Sequence, residues 1–374
     1  MLLYTTYPIL KLFVGIITLI ITQKATALPP HVHDINNLRR HLATKTPYIA
    51  DPKPPVDTIG EHYDVRQFLM VSRHGTRYPS VGDSEDIARI IAHLKTSQNK
   101  AAVGWLAAYD NVYPVRRGKE LDRNGMREVY DYGHRMARSH PGLIEEILDD
   151  DVFLYYSSLA SWSKRTAQSA IGFQTGLFEE HHNSLLDIDL LGSGRNNQLF
   201  APLQTLFFEN GTSVAQADIC SRWKTEVEAN PGTMAEANEY KTIHVGKIAA
   251  RLSRELGITM TTDDVEAVYT GCKFDITHRN RIDTFCTLLA HEDISVLEYR
   301  QDLEYYYMYS YGTETNANMA CVLIQSVMEN MENAVGGKED YTRMDIKYLH
   351  SESVFFVATF LGLYKDDQKL RADW

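Results

Sequence analysis

Three times along this chain an apolar run with the look of a strand breaks into charged and small residues, then resumes at helical spacing. The first run is Val65-Arg-Gln-Phe-Leu-Met-Val-Ser72. It ends at Arg73-His-Gly-Thr-Arg-Tyr-Pro79, and Ile87, Ile90, Ile91 and Leu94 follow at i, i+3, i+4 and i+7 behind the cap candidates Asp83 and Ser84. A further helix is expected over 123–138, with Met126, Val129, Tyr130 and Gly133 on one face. The second run is Val152–Ser157. A helix then opens at Ser163-Lys-Arg, its inner face carrying Ala167, Ala170, Ile171, Gln174 and Phe178. The third is Asp345–Leu349, turned by His350-Ser-Glu352 into a helix from Ser353 to Leu363. Strands alternating with helices predict an α/β fold with a mostly parallel sheet flanked by helices.

Residues 180–337 break that alternation and are mostly helical in pattern. Asp293 is placed to cap a tyrosine-rich helix through Met308, and another helix is expected from Asn318 to Ala334, stopped by Gly336-Gly337. The expected organisation is an α/β core at 61–179 and 338–374, split by a mainly helical lobe at 180–337. A proline-rich extended lead-in at 28–60 precedes it. Before that, Lys11, the uncharged run Leu12–Thr22 and the small residues Ala25-Thr-Ala27 predict a signal peptide over 1–27, too short in its apolar part to span a bilayer. That places the protein in the secretory route, secreted, at the cell surface or in the endoplasmic reticulum lumen, with no stable membrane partner after cleavage.

An oxidising compartment gives the four cysteines a role. Cys220, Cys272, Cys286 and Cys321 all lie past the cleavage site, and an even number predicts two disulfides. Cys272 and Cys286 bound a short polar loop and are the favoured pair. Their spacing, with no CxxC, is wrong for zinc, and no cofactor is expected. Asn210-Gly-Thr212 is a glycosylation sequon. The net charge of −11 repels nucleic acid and anionic lipid, so a polyanionic small molecule would need a local cluster of Arg and Lys.

The three strand-to-helix junctions supply such a cluster. Ligands of open α/β sheets bind beyond the carboxyl ends of the strands. Arg73, His74 and Arg77, then Lys164 and Arg165, then His350 and Glu352 can therefore meet. Guanidiniums present paired donors to the oxygens of a tetrahedral dianion, and helix N-termini add oriented N–H groups. Cations on both sides of His74 keep its imidazole neutral and nucleophilic at mildly acid pH, so attack on phosphorus would form a phosphohistidine. Gly75 leaves room for the phosphate. Glu352 is the candidate acid for a poor alkoxide leaving group, and His350 would help hold the phosphoryl group. Arg116-Arg117-Gly118-Lys119 could line the pocket mouth and bind further phosphates, or be a solvated loop. His291-Glu292-Asp293 also sets a histidine beside acids, but no strand precedes it and Asp293 fits a helix cap better. His134, His181, His182, His244 and His278 show no partner set and are expected on surfaces or helix faces.

Arg73-His-Gly-Thr-Arg-Tyr-Pro79 resembles the signature of histidine phosphatases of the acid phosphatase and phytase branch. Leu121-Asp-Arg-Asn-Gly125, Ser163-Lys-Arg165 through Leu177, and Val296-Leu-Glu-Tyr299 with Tyr311-Gly312 are similar to the multiple inositol polyphosphate phosphatases within it. The likeness runs over residues 60–366 and implies a histidine-phosphatase fold. It implies Arg73, Arg77, Arg165 and His350 as phosphate ligands, His74 as nucleophile and Glu352 as proton donor, with His350-Ser351-Glu352 standing where the family has His-Ala-Glu. The implied substrates are inositol polyphosphates, inositol hexakisphosphate and lower, and 2,3-bisphosphoglycerate. A general acid phosphatase is the near alternative. Family members continue well past the histidine–acid triplet, which keeps open a shortened, non-catalytic anion-binding relative.

Overall fold

The structure is a computed structural model that describes residues 31, 33–49, 65–149, 155–161, 163–179, 220–339 and 341–373. The expected signal peptide, the Asn210 sequon, His181-His182 and the first residues of the second expected strand lie outside these.

Among the described residues three parallel strands form one sheet. They are β1 (Phe68–Arg73), β2 (Tyr156–Ala160) and β3 (Met344–Leu349), with β3 in the middle. Register sets Arg73 opposite Leu349 and Ala160 opposite Tyr348, so the carboxyl ends of all three strands finish almost level. That levelling brings the three junctions together. The second strand ends later than its apolar run suggests, Ala160 still pairing with Tyr348. Every residue of β3 is buried, as a central strand requires. Its two charged members neutralise each other, Lys347 donating to Asp345, which also accepts from Asn330 at 2.6 Å.

The first helix, α1 (Val81–Leu94), is capped by Ser80 and not by the expected Asp83 or Ser84. Ser80 accepts the Asp83 N–H while the Asp83 carboxylate accepts the Ser80 N–H, a reciprocal box. In α2 (Arg123–Ser139) the buried face runs Gly125, Val129, Gly133 and Met136, rotated from the expected one so that Met126 is exposed. After the short α3 (Pro141–Asp149), α4 (Lys164–Leu177) likewise buries Ala170, Phe173 and Leu177 and exposes Ile171. The rotation follows from close contact. A Cβ on Gly133 would lie 2.0 Å from the Phe173 carbonyl, and one on Gly176 would lie 2.1 Å from that of Tyr130. These helices cover one sheet face through Val129, Phe173, Ile346 and Tyr348.

Against the other face, Leu323 and Val357 meet Val71, Leu159 and Leu349.

The lobe is built on α5 (Gly246–Leu256), α6 (Thr262–Arg279) and α7 (His291–Tyr309). Helix α6 is buried nearly all round. Its Asp275 is satisfied by the hydroxyls of Tyr113 at 2.7 Å and Thr284 at 2.6 Å. Cys272 is bonded to Cys286 as expected, but it lies within α6 and not at the edge of a polar loop. Cys220 and Cys321 are free thiols, so one of the two expected disulfides is present. Asp293 sits in the first turn of α7, accepting the Ala290 N–H at 2.6 Å and pairing with Arg251. The helix expected over 318–334 is two, Thr315–Asn318 and α8 (Cys321–Val335), because Asn316 ties the break to Trp223 and to the carbonyls of Tyr307 and Ser310. The last helix, α9 (Ser351–Phe360), begins directly after His350.

Residues 33–49, expected as extended lead-in, fold onto the lobe. Leu38 and Leu42 join Ile87, Ile90 and Leu94 of α1 and the apolar faces of α5–α7 in one core. Tyr269 donates to the His41 carbonyl at 2.8 Å, and His41 pairs with Glu298 at 2.7 Å. This strap delivers Thr44 and Lys45 to the sheet's carboxyl end. Among the described residues no helix is long and apolar enough to cross a membrane, and no acidic, His or Cys cluster could hold a metal.

Candidate active site

His74 is the first residue past β1, its N–H bonded to the Leu349 carbonyl of β3 at 3.0 Å. Its Nδ1–H donates to the Gly75 carbonyl at 2.8 Å, which leaves the Nε2 lone pair free. Burial, then the adjoining Arg73, lowers its pKa to about 2. Arg165 and Arg77 add to the fall and the Gly75 hydrogen bond opposes it. The result is a neutral imidazole across the acid range, as the arginine flanks suggest, with desolvation as the larger cause.

Gly75 also permits a close backbone contact. A Cβ there would meet the Gly125 carbonyl at 2.3 Å, and a Cβ on Gly125 would lie 2.1 Å from the Thr76 carbonyl. The loop that carries His74 therefore rests backbone to backbone on the first turn of α2. Ser169 accepts the Gly75 N–H at 3.1 Å, and Glu128 accepts the Thr76 N–H and hydroxyl at 2.9 and 2.8 Å. His278, expected on a helix face, is instead buried against this loop. Its Nε2 lies 3.0 Å from the Arg77 carbonyl and its Nδ1 2.9 Å from the Asp122 carboxylate.

The expected segments converge. Arg73 donates to the Thr44 carbonyl, and the buried Nε atoms of Arg73 and Arg165 have no hydrogen-bond partner among the described residues. Burial lowers both, Arg165 to about 10, with further downward pressure from Arg77 and Arg73 and an opposing pull from Glu352. Buried guanidinium donors with no acceptor are what a dianion would complete. His350 meets His74 edge to face at 5.6 Å between ring centres. Both its nitrogens are engaged: Arg165 Nη2 donates to Nδ1 at 3.0 Å, and Nε2–H donates to Ser161 Oγ at 2.8 Å. Burial and then Arg165 hold His350 down at about 4. It therefore fixes the Arg165 guanidinium in place. Glu352, in the first turn of α9, is close enough to counter Arg73, Arg77 and Arg165.

A cavity of about 440 Å³ opens over Arg73, His74 and Arg77, walled by Thr44, Lys45, Tyr48 and Tyr132. Lys45 is the cation that sequence reasoning missed, since nothing in Thr44-Lys45-Thr46 marks it. Burial, then Lys273 and Arg73, lowers it to about 7. The basic run expected at the mouth does not line this cavity. Arg117 stacks 3.8 Å over the Tyr78 ring and bonds Glu120, while Arg116 and Lys119 are exposed. Lys164 is also exposed. The His291 triplet stands apart, with Asp293 committed to Arg251 and Ala290.

A family model described as "Histidine phosphatase superfamily (branch 2)" matches residues 64–373. The chain is 26% identical over 321 residues to a Gallus gallus protein named "Multiple inositol polyphosphate phosphatase 1", covering 82% of this chain and 65% of that protein. It thus spans just under two thirds of that relative's length. The D. castellii phytase structure superposes with a TM-score of 0.67 at 19% identity over 90% of this chain and 71% of that one. A Bifidobacterium longum multiple inositol polyphosphate phosphatase in complex with inositol hexasulfate gives 0.63 at 16% identity, over 89% and 82%. Both are likenesses of fold.

Proposed function

The chain belongs to the histidine phosphatase superfamily, branch 2, and on that premise we propose that it is a phosphomonoesterase acting on inositol polyphosphates through a phosphohistidine. The observation that carries this reading is the free Nε2 of a buried, neutral His74 beside buried arginine donors that lack acceptors.

His74 Nε2 attacks phosphorus, a P–N bond forms, and the P–O bond to the alkoxide breaks as Glu352 gives that oxygen its proton. The Glu352 carboxylate then takes a proton from water, whose oxygen attacks the phosphohistidine and returns His74 and inorganic phosphate. Arg73, Arg77 and Arg165 hold the phosphoryl oxygens, with Arg165 steadied by His350. Lys45, bonded among the described residues to Thr44 Oγ1 at 3.2 Å, supplies a cation for a second phosphate, which supports a polyphosphorylated substrate. The names of the similar proteins, a phosphatase of inositol polyphosphates and a phytase, support the same substrate class.

Purified protein should release phosphate from inositol hexakisphosphate without added metal and leave lower inositol phosphates. Release from p-nitrophenyl phosphate alone would move the reading to a general acid phosphatase, and release from neither would end it. The Leu12–Thr22 run and the Cys272–Cys286 bond support a secretory location.

A further inference from the structure

The strap that carries Lys45 is tied down on both sides of the site. On the lobe side, the Glu298 carboxylate of α7 lies 2.7 Å from the His41 ring and accepts the Ala43 N–H at 3.4 Å. On the core side, Arg73 donates to the Thr44 carbonyl. Lys45 comes next. Its own bond to Thr44 Oγ1 stays within the strap and does not fix it against the core. The anchor beyond it is Tyr48.

The Tyr48 ring is 63% exposed, yet it is held. It stacks on Tyr132 of α2, with 6.0 Å between centres and 28° between planes. Arg135 is three residues on and so shares a helix face with Tyr132. Its guanidinium lies 5.1 Å from the centre of the Tyr48 ring and 5.7 Å from that of Tyr132. Tyr132 is itself seated: it meets Phe173 of α4 edge to face at 5.6 Å, and Phe173 packs on Tyr348 of the central strand at 6.0 Å. Tyr48 and Tyr132 wall the cavity over His74, and Arg135 is not part of that wall. Its Nη2 is buried with no hydrogen-bond partner among the described residues. What this cation faces is a pair of aromatic rings, and their π faces attract it the more strongly for being out of water.

We propose that Arg135 is a positioning residue for substrate recognition, which clamps Tyr48 onto Tyr132 and so staples the strap to α2 with Lys45 over the site. The proposal rests on the reading of Lys45 as a cation for a second phosphate. Lys45 then stands between two ties to the core, Thr44 on Arg73 and Tyr48 on α2, and losing the second frees one side of it. The residues around the reacting phosphate do not depend on that tie, so the chemical step is left alone.

Arg135→Ala tests this by amide hydrogen exchange and steady-state kinetics. The Lys45 and Thr46 amides, bonded to the carbonyls of Leu42 and Ala43, should exchange about three to ten times faster. Those of Leu38 and Arg39, bonded farther back in the strap, should not change. KM for inositol hexakisphosphate should rise by about three- to tenfold, with kcat and the KM for p-nitrophenyl phosphate unmoved. Tyr48→Phe keeps the ring and should keep the slow exchange. Tyr48→Ala should speed it as Arg135→Ala does, and the two together should do no more than either alone. Because Arg135 acts through Lys45, it should add nothing to KM in a Lys45→Met background. A KM effect that persists in that background would make Arg135 a direct anion ligand and overturn the clamp. Unchanged exchange in Arg135→Ala and Tyr48→Ala, or an equal KM effect on both substrates, would overturn it too. If the unmodified protein hydrolyses neither compound, the proposed function falls, and the exchange measurements still decide whether Arg135 holds the strap.

Discussion

Lys45 holds its pKa near 7 only while no anion lies against it, so it is the residue whose charge answers to substrate. The sign follows from burial: a folded pKa below the usual lysine value means the folded chain sheds this proton earlier than the unfolded one. Charging Lys45 therefore costs stability below about pH 7, and the cost fades as pH rises toward 10.5. A bound phosphate reverses that balance. KM for inositol hexakisphosphate is expected to rise as pH climbs through 7, while KM for p-nitrophenyl phosphate stays flat. Lys45→Met should raise KM for the polyphosphate about tenfold at pH 5, the usual worth of a charge-assisted contact, and abolish its pH dependence. Steady-state kinetics at pH 5 and 8 check this, and an equal effect on both substrates would remove Lys45 from substrate binding. At this scale the sequence was partly legible. His74 and its arginines announced themselves through the charge of neighbours in the chain. Lys45 did not, because the fold alone brings it to the site from a proline-flanked strap.

Between elements, a close approach that shapes the site is the loop after β1 lying on the first turn of α2. Gly125→Ala would put a methyl 2.1 Å from the Thr76 carbonyl and must lift the loop from the helix. The expected cost is about 1–3 kcal/mol of stability. The loss of kcat should exceed what the fraction unfolded explains, since Thr76 and Arg77 flank the displaced contact. Gly142→Ala is the control: it sits exposed in α3 with nothing within 4 Å and should be neutral or stabilising by about 0.5–1 kcal/mol. Thermal unfolding with kcat measured on the same samples separates these outcomes, and a fully active Gly125→Ala would refute the loop's dependence on α2. The strands and α1, α2 and α4 were legible because their periodicities are clean. Their faces were misjudged by a residue or so where glycine, which adds no hydrophobicity, marks the contact. Helix α6 was illegible as the centre of the lobe because it is buried on every side and shows no polar stripe.

Across the whole molecule, the site exists because a parallel three-stranded sheet ends its strands level while the lobe and the strap close over that edge. The alternation of strand and helix was enough to foresee the sheet and the meeting of its three junctions. It could not show that α1 and residues 33–49 share the lobe's core, since those contacts join segments about two hundred residues apart. The central claim is that this convergence makes His74 a neutral, covalent nucleophile. Rapid quenching with radiolabelled inositol hexakisphosphate tests it most directly, with the adduct mapped by peptide sequencing. The account expects an acid-labile, alkali-stable phosphohistidine at His74 that forms and decays within turnover and is missing in His74→Ala. A phosphoserine, or undiminished turnover in His74→Ala, would contradict it.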